Sequence, residues 1–502
     1  MRKNDDNGSV LPMSGVIAIV KRDCPTCELV APVLVALQQR GVLDVVASQD
    51  DPQFPHGAVV TDDRSLERSW RLAIEAVPTI VRFEDGLETG RVVGWNTEQW
   101  TAFFARDDGP QALAEHVAAM PMWRPGCGSR TIEPGMPEKL AVQFDGALLA
   151  ARRIDLAAGD DEWEQMFRRG WSDGLPVVPP TPERVMRMLS GTTRHPQDVV
   201  AIVPPDLVEC TVEKIAINAV MAGCLPEYLP VIIAAVEAAC TAEFNAHGLL
   251  ATTYFAGPVL IVNGPIAARI GMNSGVNVLG QGNRANATIG RALQLIIRNV
   301  GGGLPGGVDR ATLGNPGKVG FAFAESEATS PWTSLATERG IPLGRSAVTL
   351  FAGEGPRAIV DQKSRTADSL ARSIAACLVS VGHPKLVVGF DAVVVVSPEH
   401  ARTFAAEGWD KDRLRTEIMS HLQFNGADVI RGAGGIAEGV PEHLVGATLP
   451  KFRDGGLWFT FAGGEAGMFS AVIGGWVSGT EGSSMITTVI KDNPDDSQEA
   501  HR

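Results

Sequence analysis

Apolar and polar positions alternate along the first hundred residues in a way that predicts a small sheet flanked by helices. From Gly15 to Val20 the chain is apolar without interruption, as expected of a buried strand, and Asp23-Cys24-Pro25-Thr26-Cys27 follows at once. Glu28 to Arg40 then shows the spacing of an amphipathic helix closed by Gly41, and Val42 to Ala47 returns to strand. Ser65 to Glu75 predicts a helix. Thr79 to Phe83 and Leu87 to Val93 predict a hairpin turning on Asp85-Gly86, and Thr97 to Ala105 a final helix. A βαβ start with an αββα finish is one compact α/β domain, expected over residues 13–110.

Beyond it the pattern changes twice. Between Ala112 and Pro137 the breakers Pro121, Pro125-Gly126, Cys127-Gly128 and Pro134-Gly135 predict a connector over residues 111–160. Residues 161–491 alternate strand-like and helix-like stretches, which predicts a larger α/β domain, with a split into two subdomains expected near 345–385. Within it Lys385 to Val396 leads into a helix from Pro398, and Leu457 to Phe461 leads into Gly463-Gly464-Glu465-Ala466-Gly467. Both resemble Rossmann-like halves without the dinucleotide fingerprint. Residues 1–12 and 492–502 are expected to be flexible ends.

Composition narrows the function. The 502 residues carry 44 basic and 58 acidic side chains, a net charge of -14 with no offsetting basic cluster, which argues against a nucleic-acid partner. Tyr228 to Cys240 is the longest apolar run, but Pro230 and Glu237 interrupt it and it is shorter than the roughly 20 residues a bilayer requires. No apolar leader follows Met1. Seven scattered cysteines do not form a disulfide framework, so the expected location is a reducing cytoplasm, without membrane contact.

The close pair Cys24 and Cys27 therefore stands out. Cys24 suits a helix N-cap, Pro25 the first helical position, and Cys27 lies one turn along on the same face. Unpaired N–H groups and the helix dipole at that end favour a thiolate on Cys24, and Cys27 is placed to resolve a mixed disulfide on it. Such chemistry requires no cofactor beyond the Cys24–Cys27 disulfide. A CxxC also occurs in zinc knuckles, but no second CxxC or spaced histidine pair accompanies it, and no metal site is expected.

Cys24-Pro25-Thr26-Cys27-Glu28-Leu29-Val30-Ala31-Pro32 resembles the CxxC helix of the thioredoxin family, including the proline five residues after the second cysteine. Val77-Pro78-Thr79, with the hairpin after it, resembles that family's cis-proline loop. The resemblance implies a thioredoxin-like fold over about residues 13–106. It also implies a catalytic pair Cys24 and Cys27, a cis Pro78 facing them, and a protein or small-molecule disulfide as partner. Asp23 stands where the family usually has tryptophan, and Ala18 where it has a buried acid. A carboxylate at Asp23 would raise the Cys24 pKa against the helix effect.

Other residues suggest further chemistry. Cys127, in Arg124-Pro125-Gly126-Cys127-Gly128-Ser129-Arg130, reads either as a relay thiol favoured by two cations or as a free surface thiol. Cys210, Lys214 and Asn218 share one predicted helical face, which suits a pocket wall or plain helix-start capping. His247 suits a proton donor in a cleft or a hydrogen-bonded structural histidine. The segment 273–291, with Asn273, Asn277, Asn283, Arg284 and Arg291 among glycines, suits a small anionic substrate such as a carboxylate or phosphate, or else a packing turn. No Walker A, Gly-x-Ser-x-Gly or HExxH motif is present. The expected function is thiol–disulfide exchange coupled to a larger substrate-binding domain. The alternative is a lyase or hydrolase in that domain with the smaller one docking or regulatory.

Overall fold

The computed structural model describes residues 13–105, 109–118, 120–145, 148–157, 159–477 and 482–491. The expectations for residues 1–12 and 492–502 lie outside them. The chain divides into two compact units, Met1–Ala147 and Leu148–Arg502.

The first unit runs β1 (Gly15–Val20), α1 (Pro25–Gln39), β2 (Val45–Ser48), β3 (Val60–Asp62), α2 (Glu67–Arg71), β4 (Ala76–Val77), β5 (Thr79–Glu84) and β6 (Leu87–Val93). It continues with β7 (Trp95–Asn96), α3 (Thr97–Phe103), α4 (Gly109–Val117), β8 (Trp123–Arg124), β9 (Cys127–Gly128) and α5 (Met136–Asp145). Its five-stranded sheet has the order β3-β2-β1-β5-β6. β1 pairs parallel with β2 and antiparallel with β5, and β5 pairs antiparallel with β6. β1 is central, and its residues Ile17 to Val20 are fully buried, which accounts for its lack of polar alternation. At the hairpin Asp85 (φ 54°) and Gly86 (φ 79°) both adopt the left-handed conformation of a tight two-residue turn. Trp95, Trp100 and Phe104 are fully buried and pack against one another; truncation of one such ring costs about 3–5 kcal/mol.

The connector expectation is corrected. Residues 111–145 belong to the first unit: α4 packs on α1, β8 pairs with β7, and β9 pairs with β4. The prolines and glycines there break the chain into short segments that lie on the domain rather than leading away from it. The division between units falls at 147/148.

The second unit is built on one eight-stranded mixed sheet. Its main path runs Ala322–Ala324, Gly257–Asn263, Ala347–Gly353, Phe469–Val477, Phe390–Val396, Leu457–Phe461. Arg357–Val360 pairs with the fourth of these and Ile486–Val489 with the third. Ala347–Gly353 touches its neighbour Phe469–Val477 through Gly353 and Gly475, so the sheet continues across the expected subdomain split near 345–385. Helices Val212–Ala222, Leu229–Ala239 and Arg284–Asn299 share one large core with the Gly257–Asn263 half of this sheet. Tyr228 to Cys240, the longest apolar run, is the buried helix of this core, and among the described residues no helix is long and apolar enough to cross a membrane. The predicted strand from Lys385 begins only at Phe390, because Val388 adopts the left-handed conformation (φ 67°) and breaks the extended run. Together the two units are of the α/β class.

Candidate active site

The loop between β1 and α1 presents the dithiol. Cys24 is the N-cap of α1, with extended backbone (φ −154°, ψ 107°), and its Sγ accepts the Cys27 N–H at 3.2 Å. Pro25 occupies the first helical position, where its missing N–H removes nothing from the helix. Both cysteines are buried.

The sulfur of Cys24 is surrounded by donors. A hydrogen bond from the Cys27 thiol is the largest influence drawing its pKa down; burial opposes this. A bond from the Cys127 thiol and the Cys27 and Thr26 N–H groups add to the fall, and the value settles at about 5. Burial pushes Cys27 far up, as does the bond through which its proton is held by Cys24. One thiol is therefore an anion at neutral pH while its neighbour keeps a proton. When protonated, Cys24 donates instead to the Val77 carbonyl at 3.4 Å, a bond it surrenders on ionising. The net direction at Cys24 is downward, whatever Asp23 contributes.

Pro78 follows β4 directly, and the Val77–Pro78 peptide is cis. The Pro78 carbonyl accepts the Gly94 N–H at 2.8 Å, which ties this turn to the end of β6.

Cys127 lies in β9, which runs antiparallel to β4 with Ala76 opposite Gly128 and Val77 opposite Cys127. Thr26, inside the CxxC, donates its hydroxyl to the Pro125 carbonyl at 2.7 Å. Gly126 lets these strands close up, since a Cβ there would stand 3.0 Å from the Val77 oxygen. The expectation that Arg124 and Arg130 favour a Cys127 thiolate is corrected. Arg130 Nη1 donates to the Gln49 carbonyl (2.8 Å), and the Cys127 pKa is raised, chiefly by burial and next by its bond to Cys24. The thiol is half-buried against the core of this unit.

A buried polar network, not foreseen from sequence, fixes this strand. Gln49 donates from Nε2 to Ser69 Oγ (2.8 Å) and Ser129 Oγ (2.7 Å) and accepts the Arg130 N–H (3.0 Å). Ser69 in turn donates to Asp63 (2.5 Å), and Ser129 N–H to the Glu75 carbonyl (2.8 Å). The available signal was Gln49, a polar residue directly after the apolar β2. Among the described residues no metal-ligand cluster forms at the dithiol. The cluster that does form, Asp368, Glu417 and His421, belongs to the second unit, and there Asp368 is paired with Arg372 and Glu417 with His421.

In the second unit the polar side chains of segment 273–291 bond within the chain. Asn273 donates to the Val276 carbonyl (2.9 Å) and accepts the Gly275 N–H (2.9 Å); Asn277 donates to Gln281 O (2.8 Å). Asn283 caps helix Arg284–Asn299 by accepting the Asn286 N–H (3.0 Å) and donates to Gly271 O (2.8 Å). Arg284 donates to Gly223 O (2.9 Å). Arg291 grips Asp173 with both arms (2.8 and 2.7 Å) and adds the Leu175 and Pro176 carbonyls. These bonds hold the loops together. The second glycine loop does meet this one, through Gly463 N–H to Ser274 O at 2.9 Å.

Cys210 is corrected as well. It lies on strand Val208–Thr211, is fully buried, and burial pushes its pKa up to about 12, so it is a core thiol. Lys214 and Asn218 do share a helical face and line a cavity of about 930 Å³ with Arg152, Arg153, Trp171 and Asn299. Asn218 is already bonded to Lys214 O (2.9 Å) and Asn299 (2.9 Å), and Lys214 reaches Glu209 O (2.6 Å). His247 is exposed on helix Ala246–Ala251 and lines neither this cavity nor the apolar one at Tyr254, Phe390 and Trp476.

No protein-family model matches the chain, and no solved structure matches it.

Proposed function

We propose that the first unit is a thioredoxin-like thiol–disulfide oxidoreductase. The observation carrying this reading is the placing of the dithiol: Cys24 caps α1 with its Sγ accepting the Cys27 N–H at 3.2 Å, and it lies 3.4 Å from the carbonyl of Val77, which precedes the cis Pro78. Cys24 attacks a disulfide sulfur of the partner, forming a mixed disulfide and releasing one partner thiolate. Cys27, deprotonating as Cys24 loses its charge, attacks the Cys24 sulfur and releases the second partner thiol. The products are a Cys24–Cys27 disulfide and a dithiol, two electrons having passed from protein to partner. In the resemblance to the thioredoxin family, Pro78 shapes the groove where the partner lies. Reduction of a small aromatic disulfide by the reduced chain tests the reading: two thiols released per chain support it, and an inert Cys24 refutes it.

For the second unit the cavity at Lys214 and Asn218 supports a second reading, an enzyme of lyase or hydrolase type acting on a small substrate. Its lining carries both signs: Arg152, Arg153 and Lys214 with Asp155, Glu162, Asp206 and Glu213. Pockets of this size hold drug-sized ligands. A thermal-shift screen of carboxylates and phosphates checks it, with Lys214→Ala expected to abolish any shift. If that unit turns over a substrate at full rate in Cys24→Ser, the two activities are independent.

A further inference from the structure

The strand that carries Cys127 occupies a place with chemical meaning. β9 pairs with β4 in the two residues that precede Pro78, and Thr26 anchors the same segment from inside the CxxC. The Gln49 network and the pairing of Trp95 with Arg124 hold both ends of the segment. A backbone strand is thus laid across the dithiol, with a cysteine opposite Val77, whose carbonyl is itself 3.4 Å from Cys24 Sγ. Cys127 packs on the same buried core that holds Cys24 and Cys27. The edge of β4 beside Cys24 is therefore occupied by a cysteine-bearing strand of the chain itself.

We propose that Cys127 is a third redox residue of this centre, exchanging with the Cys24–Cys27 disulfide to give a Cys24–Cys127 disulfide. The proposal rests on Cys24 being the exchanging thiol. In the step, Cys127 loses its proton and attacks Cys24 Sγ. The Cys24–Cys127 bond forms as the Cys24–Cys27 bond breaks, and Cys27 leaves as a thiolate that takes up the proton. No electrons are gained or lost overall, so the only oxidant required is the partner disulfide that first oxidised the pair. Once Cys24 is in a disulfide its negative charge is gone, and with it one cause that keeps Cys127 protonated.

The exchange is tested on the full chain oxidised by glutathione disulfide, blocked with N-ethylmaleimide and mapped by peptide mass spectrometry. In Cys27→Ser, and in Cys27→Ala should the hydroxyl disturb the core, glutathione first caps Cys24. Cys127 then displaces it, and the Cys24–Cys127 disulfide is expected to exceed the glutathione adduct by at least about tenfold, because Cys127 is held beside its target. A persistent Cys24–glutathione adduct, with Cys24–Cys27 still forming in Cys127→Ser, overturns the role of Cys127 and leaves the oxidoreductase reading standing. A Cys24 that takes up no glutathione in any variant overturns both.

Discussion

Two cysteine- or glycine-punctuated turns stood out in this chain, at 23–27 and 273–291, and the structure treats them oppositely. Around Cys24 the local donors converge on one sulfur and leave it a bond-forming valence. Around Asn273 to Arg291 the amides and guanidinium groups bond to neighbouring backbone and to Asp173. The difference lies in what each polar group lacks. A thiolate at a helix N-cap is stabilised as an anion yet remains a nucleophile, whereas an arginine bound to a carboxylate and two carbonyls has little left to offer a ligand.

The largest expected consequence of that contrast is at Cys24. Cys24→Ser should cut disulfide reduction by on the order of a thousandfold or more, as removal of a nucleophile does elsewhere, while Arg291→Ala leaves the reduction rate unchanged; stopped-flow thiol release measures both. On stability the order reverses. Arg291→Ala frees a nearly buried Asp173, whose carboxylate Arg291 holds below its ordinary pKa against burial, and should cost roughly 3 kcal/mol in urea unfolding of the chain.

A pH effect separates the two regions next. The Cys24 pKa lies below its ordinary value in the folded chain, so unfolding takes up a proton in the window between about 5 and 9. The stability this thiolate contributes is full above pH 9 and is lost as pH falls through about 5. Cys27 and Cys127, shifted upward, act in the opposite sense and only as pH rises beyond their ordinary value. The urea midpoint of the reduced protein should therefore rise from pH 5 to pH 8 more than that of the Cys24–Cys27 disulfide form. Equal slopes would mean Cys24 is not ionised in the folded state. The smallest effect is expected from Thr26→Val, which removes the bond to Pro125 O. Loosening β9 by about 1 kcal/mol should speed capture of Cys24 by a bulky maleimide about fivefold.

How much the sequence disclosed follows the same line. The dithiol, its helix and the hairpin were legible because their determinants are local: an N-cap, a proline at the first helical position, an Asp-Gly turn; Pro78 was singled out only by the family resemblance. Strand Leu457–Phe461 was legible as an apolar run. The fate of 111–145 was not, because a Pro/Gly-rich stretch has the same composition whether it links domains or lies across one; only the pairing of Cys127 with Val77, 50 residues away in sequence, decides it. Cys210 was placed one element too late because Thr211, two residues before an acidic Glu213, is the true cap. The asparagines at 273–286 resembled donors awaiting a ligand, since a sequence does not show that Asn286 N–H, Gly275 N–H and the Gly271 and Gln281 carbonyls already meet them.

The claim beneath all of this is that Cys24 is ionised well below neutrality. The pH dependence of its alkylation by iodoacetamide, followed by mass spectrometry of the Cys24 peptide in the reduced chain, measures it directly. The rate is expected to be already at its plateau by pH 7 and to halve near pH 5. A rate that climbs steadily to pH 9, as for an ordinary thiol, would contradict it.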